Sequence, residues 1–299
     1  MWSSRGGISH HEAVVNGVRL HYARAGTGPT LLLLHGWPEF WLTWLPVMQR
    51  LADRFTVIAP DLRGFGSSDK PDPGPSDQVG AAVHAADIAA LMSGLGLGRV
   101  GLVAHDVGAY VAQVLARSVP DRLAGLFFFN CPYPGIGPRW ARAEHLREIW
   151  YQSFHQMPFA ADLVGSSRTA CRLYIGHFLR HWAGGNPRAF DPVLEEFIDN
   201  FLAPGALQGG FNWYLSQNAA RLATIRGEAP SLPSISVPTC VRWGDSDPLF
   251  PYGWTDRLGE SFTSLDLAPF PGAGHFPHAE APDRAAAEIA VFFGRRDFA

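Results

Sequence analysis

Polar and apolar positions along the first half of the chain alternate between two periods. Glu12–Val15 and Val18–Ala23 are short alternating stretches on either side of Asn16–Gly17, which predicts a β-hairpin. Thr30–Leu34 is a continuous apolar run that stops at His35–Gly36, as a strand buried on both faces does. Phe40–Leu51 carries helical spacing, Phe55–Ala59 reads as the next strand, and Pro60–Asp61 closes it. The order then continues with an Ala-rich helix over Val79–Leu95, a strand over Arg99–Ala104, a helix of small residues over Gly108–Ser118 and a strand over Leu123–Phe129. Continuously apolar strands separated by helices predict a parallel sheet covered on both faces.

That rhythm stops after Asn130. Cys131–Pro138 is rich in Pro and Gly, and from Trp140 to about Ile225 only helix patterns occur, dense in aromatics and histidine. Strand patterns resume at Ile235–Trp243 and Leu265–Pro269, and Arg284–Phe293 forms a closing amphipathic helix. A core of residues 1–134 and 231–299 interrupted by a helical insertion, 135–230, is therefore expected.

Composition narrows the picture. The 299 residues are 47% hydrophobic and 17% charged, which supports a large core and excludes disorder. A net charge of −3 leaves no electrostatic footprint for nucleic acid. Three scattered cysteines, Cys131, Cys171 and Cys240, fit reduced thiols better than a disulfide framework. Met1–His11 lacks the apolar region of a signal peptide, and Leu31–Leu34 is too short to span a bilayer. A cytoplasmic protein without a membrane partner is the expectation, and nothing in the pattern speaks against a homo-oligomer.

Chemistry concentrates at three predicted strand ends. In Val100-Gly-Leu-Val-Ala-His-Asp-Val-Gly-Ala-Tyr110 a strand runs directly into a helix, with Asp106 at the corner and the small residues Ala104, Gly108 and Ala109 around it. A nucleophile elbow has this layout, but Asp is also a favoured helix N-cap, and the segment alone does not separate the two. Asp245 and Asp247 follow the next-to-last strand, where an acid can fix the tautomer of a histidine. His275 follows the last strand in a glycine-rich loop, with His278 as a competitor. Ligands of open α/β sheets bind at this edge.

With these residues in place the sequence resembles the α/β-hydrolase superfamily, and within it the epoxide hydrolases of the soluble bacterial type. His35-Gly-Trp-Pro38 is similar to the family's oxyanion-hole loop, and Asp61 to Asp69 to the next signature. His105–Asp106 matches the elbow, with Ala104 where glycine is usual. Gly244-x-x-Asp247 has the acid's spacing, which favours Asp247 over Asp245, and Gly272-x-Gly-His275 matches the histidine loop. The insertion looks like the family's helical cap. Trp150-Tyr-Gln-Ser-Phe-His-Gln156 and Gly210-Phe-Asn-Trp-Tyr214 resemble the segments that carry the ring-opening tyrosines, here Tyr151 and Tyr214.

The resemblance implies an α/β-hydrolase fold: a mostly parallel sheet flanked by helices, with an inserted cap. It implies hydrolysis of an epoxide to a vicinal diol through an ester on Asp106. His275, oriented by Asp247, would activate water, and the backbone N–H groups of Trp37 and Val107 would form the oxyanion hole. No metal or organic cofactor is called for. The partners would be water and a small apolar epoxide, in a pocket built from aromatics such as Phe154, Phe159, Trp213 and Phe250.

Two rivals stand beside this reading. A haloalkane-type dehalogenase uses the same Asp–His–Asp set, but Val107 stands where such enzymes commonly have tryptophan. Val107–Gln113 also lacks the arginines of fluoroacetate dehalogenases. A non-catalytic ligand-binding relative would not need the whole residue set. Other matches fail on context. Gly96-Leu-Gly98-Arg-Val-Gly101 precedes a strand where a dinucleotide fingerprint would follow one. Ser67-x-x-Lys70 lacks its companion motifs, and no G-x-S-x-G occurs. His177 and His181 are spaced to share a helix face, without the Glu of a zincin.

Overall fold

Asn16 and Gly17 both take positive φ, 48° and 77°, and turn β1 (Ser9–Val15) back onto β2 (Val18–Ala25) with Val15 opposite Val18. This is the geometry an Asn-Gly hairpin requires. The computed structural model describes residues 7–71 and 79–298; Met1–Gly6, part of the segment read for a leader, lies outside them.

The remaining strands are β3 (Thr30–Leu34), β4 (Thr56–Pro60), β5 (Val100–His105), β6 (Leu123–Phe129), β7 (Thr239–Gly244) and β8 (Leu265–Phe270). They form one eight-stranded sheet in the order β1-β2-β4-β3-β5-β6-β7-β8. β1, β2 and β4 pair antiparallel, and every later pairing is parallel. Leu31–Leu34 and Phe127–Phe129 are fully buried, because helices cover both faces of the central strands. Around the sheet stand α1 (Leu45–Leu51), α2 (Ala81–Gly94) and α3 (Val107–Ser118). The sequence pattern anticipated each of these elements to within a few residues; the first turn before α1, Trp41–Trp44, is a tighter 3₁₀ turn.

Between β6 and β7 every described regular element is helical: short turns, then α4 (Leu146–Phe154), α5 (Ala160–Gly165), α6 (Arg168–His181), α7 (Leu194–Leu202) and α8 (Ala206–Arg226). The chain closes with α9 (Pro277–Glu280) and α10 (Pro282–Phe293). The helical segment packs on the sheet's C-terminal edge. There the backbone N–H of His275, after β8, donates to the carbonyl of Trp182 at the end of α6 at 2.8 Å. None of the described helices is long and apolar enough to cross a membrane.

Candidate active site

β5 ends at His105 and α3 begins at Val107, so the chain reverses within one residue. Asp106 has φ 48° and ψ −114°, a conformation that a residue with a Cβ rarely adopts. Gly108 makes the corner feasible, since a Cβ there would stand 2.4 Å from the carbonyl oxygen of Leu34. The Asp106 carboxylate makes no capping bond to α3. Its Oδ1 instead accepts the backbone N–H of Trp37 at 3.0 Å. The helix-cap alternative therefore does not describe this residue.

His275 is fully buried after β8. Its Nδ1–H donates to Asp247 Oδ2 at 2.8 Å, since the carboxylate can only accept. Asp247 Oδ1 also accepts the N–H groups of Leu249 and Phe250, at 2.8 and 3.0 Å. Asp245, the other acid of this turn, is exposed and accepts from the Gly272 N–H at 2.9 Å. Burial disfavours the imidazolium of His275. The charge and hydrogen bond of Asp247, with Asp106 and Glu39 behind them, outweigh it and hold the pKa above 6.5. His275 Nε2 points toward Asp106, 3.8 Å from Oδ2.

His278, the competing histidine, faces away from Asp106. Its Nε2–H donates to Glu39 Oε1 at 2.8 Å, while His105 Nδ1–H donates to Glu39 Oε2 at 2.7 Å. Ligand atoms of Glu39, His105 and His278 lie within 4.8 Å of one another. Both oxygens of Glu39 are further used by the Thr43 hydroxyl and the Gly36 N–H, so this is a hydrogen-bonded cluster under the site. His177 and His181 stack at 5.1 Å, and His181 contacts Glu148 at 2.6 Å, away from the strand ends.

Tyr151 on α4 and Tyr214 on α8 meet above Asp106. Their rings lie 5.5 Å apart at 85°, and Tyr151 stacks on the Trp37 indole at 5.2 Å and 7°. Burial first, and then the Asp106 charge for Tyr151, push its phenol well above the usual range. Burial does the same for Tyr214, helped by Tyr151 and Asp106. Both are neutral hydrogen-bond donors at pH 7.

Asp106, Val107, Tyr151 and Tyr214 line one cavity. Trp213 and Phe250 line it as well, with Tyr110 and Trp140. Phe154 does not. It packs against Trp150, Phe159 and Tyr174, and Phe159 is largely exposed, so both are removed from the expected pocket. Helical phase alone would place Phe154, three residues after Tyr151, on the same face, but at the last residue of α4 its ring packs against Tyr174 of α6 instead. The pocket is also less apolar than expected, since Gln152, Gln156, Gln217 and Arg221 form one edge.

Asn130 escaped the sequence reading. At the end of β6, with φ 44°, it donates to Asp247 Oδ2 and to the Gly274 carbonyl (3.0 Å), and accepts the Gly244 N–H at 2.9 Å. One side chain thus holds the acid, the end of β7 and the histidine loop together. The available signal was an Asn, a residue that tolerates left-handed backbone, at a strand end before Cys131–Pro132.

The family model for the α/β hydrolase fold matches residues 29–282. A soluble epoxide hydrolase of Corynebacterium sp. (strain C12) is 34% identical over 80% of this chain and 82% of its own length. Epoxide hydrolase 1 of Siraitia grosvenorii is 32% identical, covering 92% of this chain and 95% of its own. The crystal structure of an epoxide hydrolase from Vigna radiata superposes with a TM-score of 0.80 at 26% identity, over 98% of this chain and 100% of that one. The chain belongs to the α/β-hydrolase fold family and, within it, to the epoxide hydrolases.

Proposed function

We propose that this protein hydrolyses epoxides to vicinal diols through a covalent ester on Asp106. A carboxylate oxygen of Asp106 attacks a ring carbon, and the carbon–oxygen bond of the epoxide breaks. The electron pair moves onto the departing oxygen, which takes a proton from Tyr151 or Tyr214. His275 then takes a proton from water through Nε2, and the hydroxide attacks the ester carbonyl of Asp106. The tetrahedral oxyanion is met by the N–H groups of Trp37 and Val107. Collapse releases the diol and restores the carboxylate, and the proton held by His275 returns to the tyrosine.

The observation that carries this reading is the seat of Asp106. A carboxylate stands on a strained elbow, faces a histidine 3.8 Å away and shares a cavity with two neutral tyrosines. A carboxylate nucleophile suits a saturated carbon, and phenols suit a leaving alkoxide, which needs a proton; a leaving halide does not. The helical segment 135–230 serves in this scheme as a cap that excludes bulk water from the core formed by 1–134 and 231–299. No metal or cofactor takes part.

The test is a panel of aryl and alkyl epoxides beside haloalkanes, with diol and halide both measured. Diol formation from epoxides without halide release is expected. Halide release without diol would assign the dehalogenase reading instead, and binding without turnover of either class would assign a ligand-binding role.

A further inference from the structure

Arg221 stands on α8 two turns after Tyr214 and lines the same cavity as Asp106. Seven residues of helix correspond to about 10 Å along the axis. Helical side chains lean toward the N-terminus, which brings the guanidinium nearer the reacting end than that spacing.

The surroundings of Arg221 are unusual for a half-buried cation. It donates to Gln152 Oε1 at 2.9 Å and to Asn218 Oδ1 at 3.1 Å, both neutral acceptors. Among the described residues no carboxylate lies within ion-pair distance of it. The well-buried Arg63, Arg139 and Arg242, by contrast, each pair with a carboxylate. A guanidinium offers five N–H donors in a fork that matches a carboxylate. Gln156 and Gln217 add amide groups along the same edge. The aromatic rings of Trp140, Trp213 and Phe250 line the same cavity.

Resting on the epoxide-opening reading above, we infer that this edge of the cavity binds a carboxylate carried by the substrate, with Arg221 as the specificity-determining residue. Asp106 repels an anion at the reacting end, so the carboxylate lies at Arg221 and the oxirane over Asp106. The substrate is thereby held in one sense along α8. The site also communicates with ring opening: the Gln152 amide that accepts from Arg221 donates from Nε2 to the Tyr151 hydroxyl at 3.3 Å.

Para-carboxystyrene oxide and para-carbamoylstyrene oxide share a shape and differ in charge, so the ratio of their kcat/KM values reads the site. The protein should favour the acid by about tenfold or more, the weight of a charge-assisted hydrogen bond. Arg221→Met should bring the ratio near one, and Arg221→Lys should keep part of it. Should Arg221→Met not fold, Gln217→Glu, which adds a negative charge to this edge, must lower the ratio. A ratio of one in the unaltered protein, or one that survives both substitutions, overturns the inference. Calorimetry with para-vinylbenzoate, which has no oxirane, reads binding alone. Binding weakened by Arg221→Met supports the carboxylate site even in a protein that opens neither oxide, a result that would count against the epoxide reading only. Binding that is undetectable, or equal in both proteins, counts against the site.

Discussion

His275 Nε2 stands 3.8 Å from Asp106 Oδ2, beyond hydrogen-bond reach, and makes no hydrogen bond to any other described residue. A base held at that separation does not deprotonate the carboxylate, which needs no activation. In the proposed mechanism its Nε2 instead takes a proton from the water that attacks the ester on Asp106. The two residues serve different half-reactions in that mechanism.

Separating those half-reactions is the first expected outcome. Asp106→Ala abolishes turnover. His275→Gln still allows alkylation, so mixing with an epoxide adds the mass of the substrate to the protein. Intact-protein mass spectrometry reads this directly, and a folded, substrate-binding His275→Gln protein without adduct would contradict the two-step scheme.

The tyrosines give the second. Tyr151 and Tyr214 pack together at the cavity, and in the proposed mechanism either one protonates the leaving oxygen. Tyr151→Phe and Tyr214→Phe each slow ring opening by about tenfold or more, since one donor remains. The double variant loses about 2–4 kcal/mol of transition-state stabilisation per donor and is nearly inactive. Stopped-flow tryptophan fluorescence would follow alkylation, given the stacking of Trp37 on Tyr151. Undiminished epoxide turnover in the folded double variant would remove the phenols from the mechanism.

The pH dependence of ester hydrolysis follows from His275. Burial lowers its pKa, but Asp247 outweighs burial and holds it above 6.5. Only the neutral imidazole accepts a proton, so hydrolysis rises with pH through that pKa. Asp247→Asn removes the main raising influence. Its ascending limb should lie at lower pH, with a reduced plateau because the tautomer is no longer fixed. Single-turnover hydrolysis across pH measures both, and a limb at unchanged pH would refute the coupling.

Acid stability follows from histidines that the site does not use. Burial holds His84 and His278 at about 4 in the folded protein, against 6.5 when exposed, and holds His155 well below 6.5. Between those values the unfolded chain binds protons that the folded chain refuses. Stability is therefore lost as pH falls from about 6.5 toward 4, by up to about 3 kcal/mol for each of the first two. His84→Gln should flatten the dependence of Tm on pH over this window. An unchanged slope by calorimetry would show that His84 is not held neutral.

Much of this protein was legible one residue at a time. The periods of Thr30–Leu34, Arg99–Ala104 and Leu123–Phe129 define strands buried on both faces, because a fully covered strand has no polar side to alternate with. Asn16–Gly17 defines its hairpin, because few other pairs tolerate two positive φ angles. The small residues around Asp106 announce a corner, since only small side chains let a strand and a helix approach so closely. Such local demands are written where they act. Other features depend on which distant segments converge. Asn130 serves Gly244, Asp247 and Gly274, more than a hundred positions away, and no local pattern marks it for that work. Phe154 and Trp213 are alike as cap aromatics in sequence, yet packing against α6 draws the first away and leaves the second on the cavity. Arg221 reads as one more polar position of a surface helix. Only the tertiary structure gives it a cavity to face and no carboxylate among the described residues to pair with, because burial and charge pairing belong to the assembled fold and not to the order of residues along it.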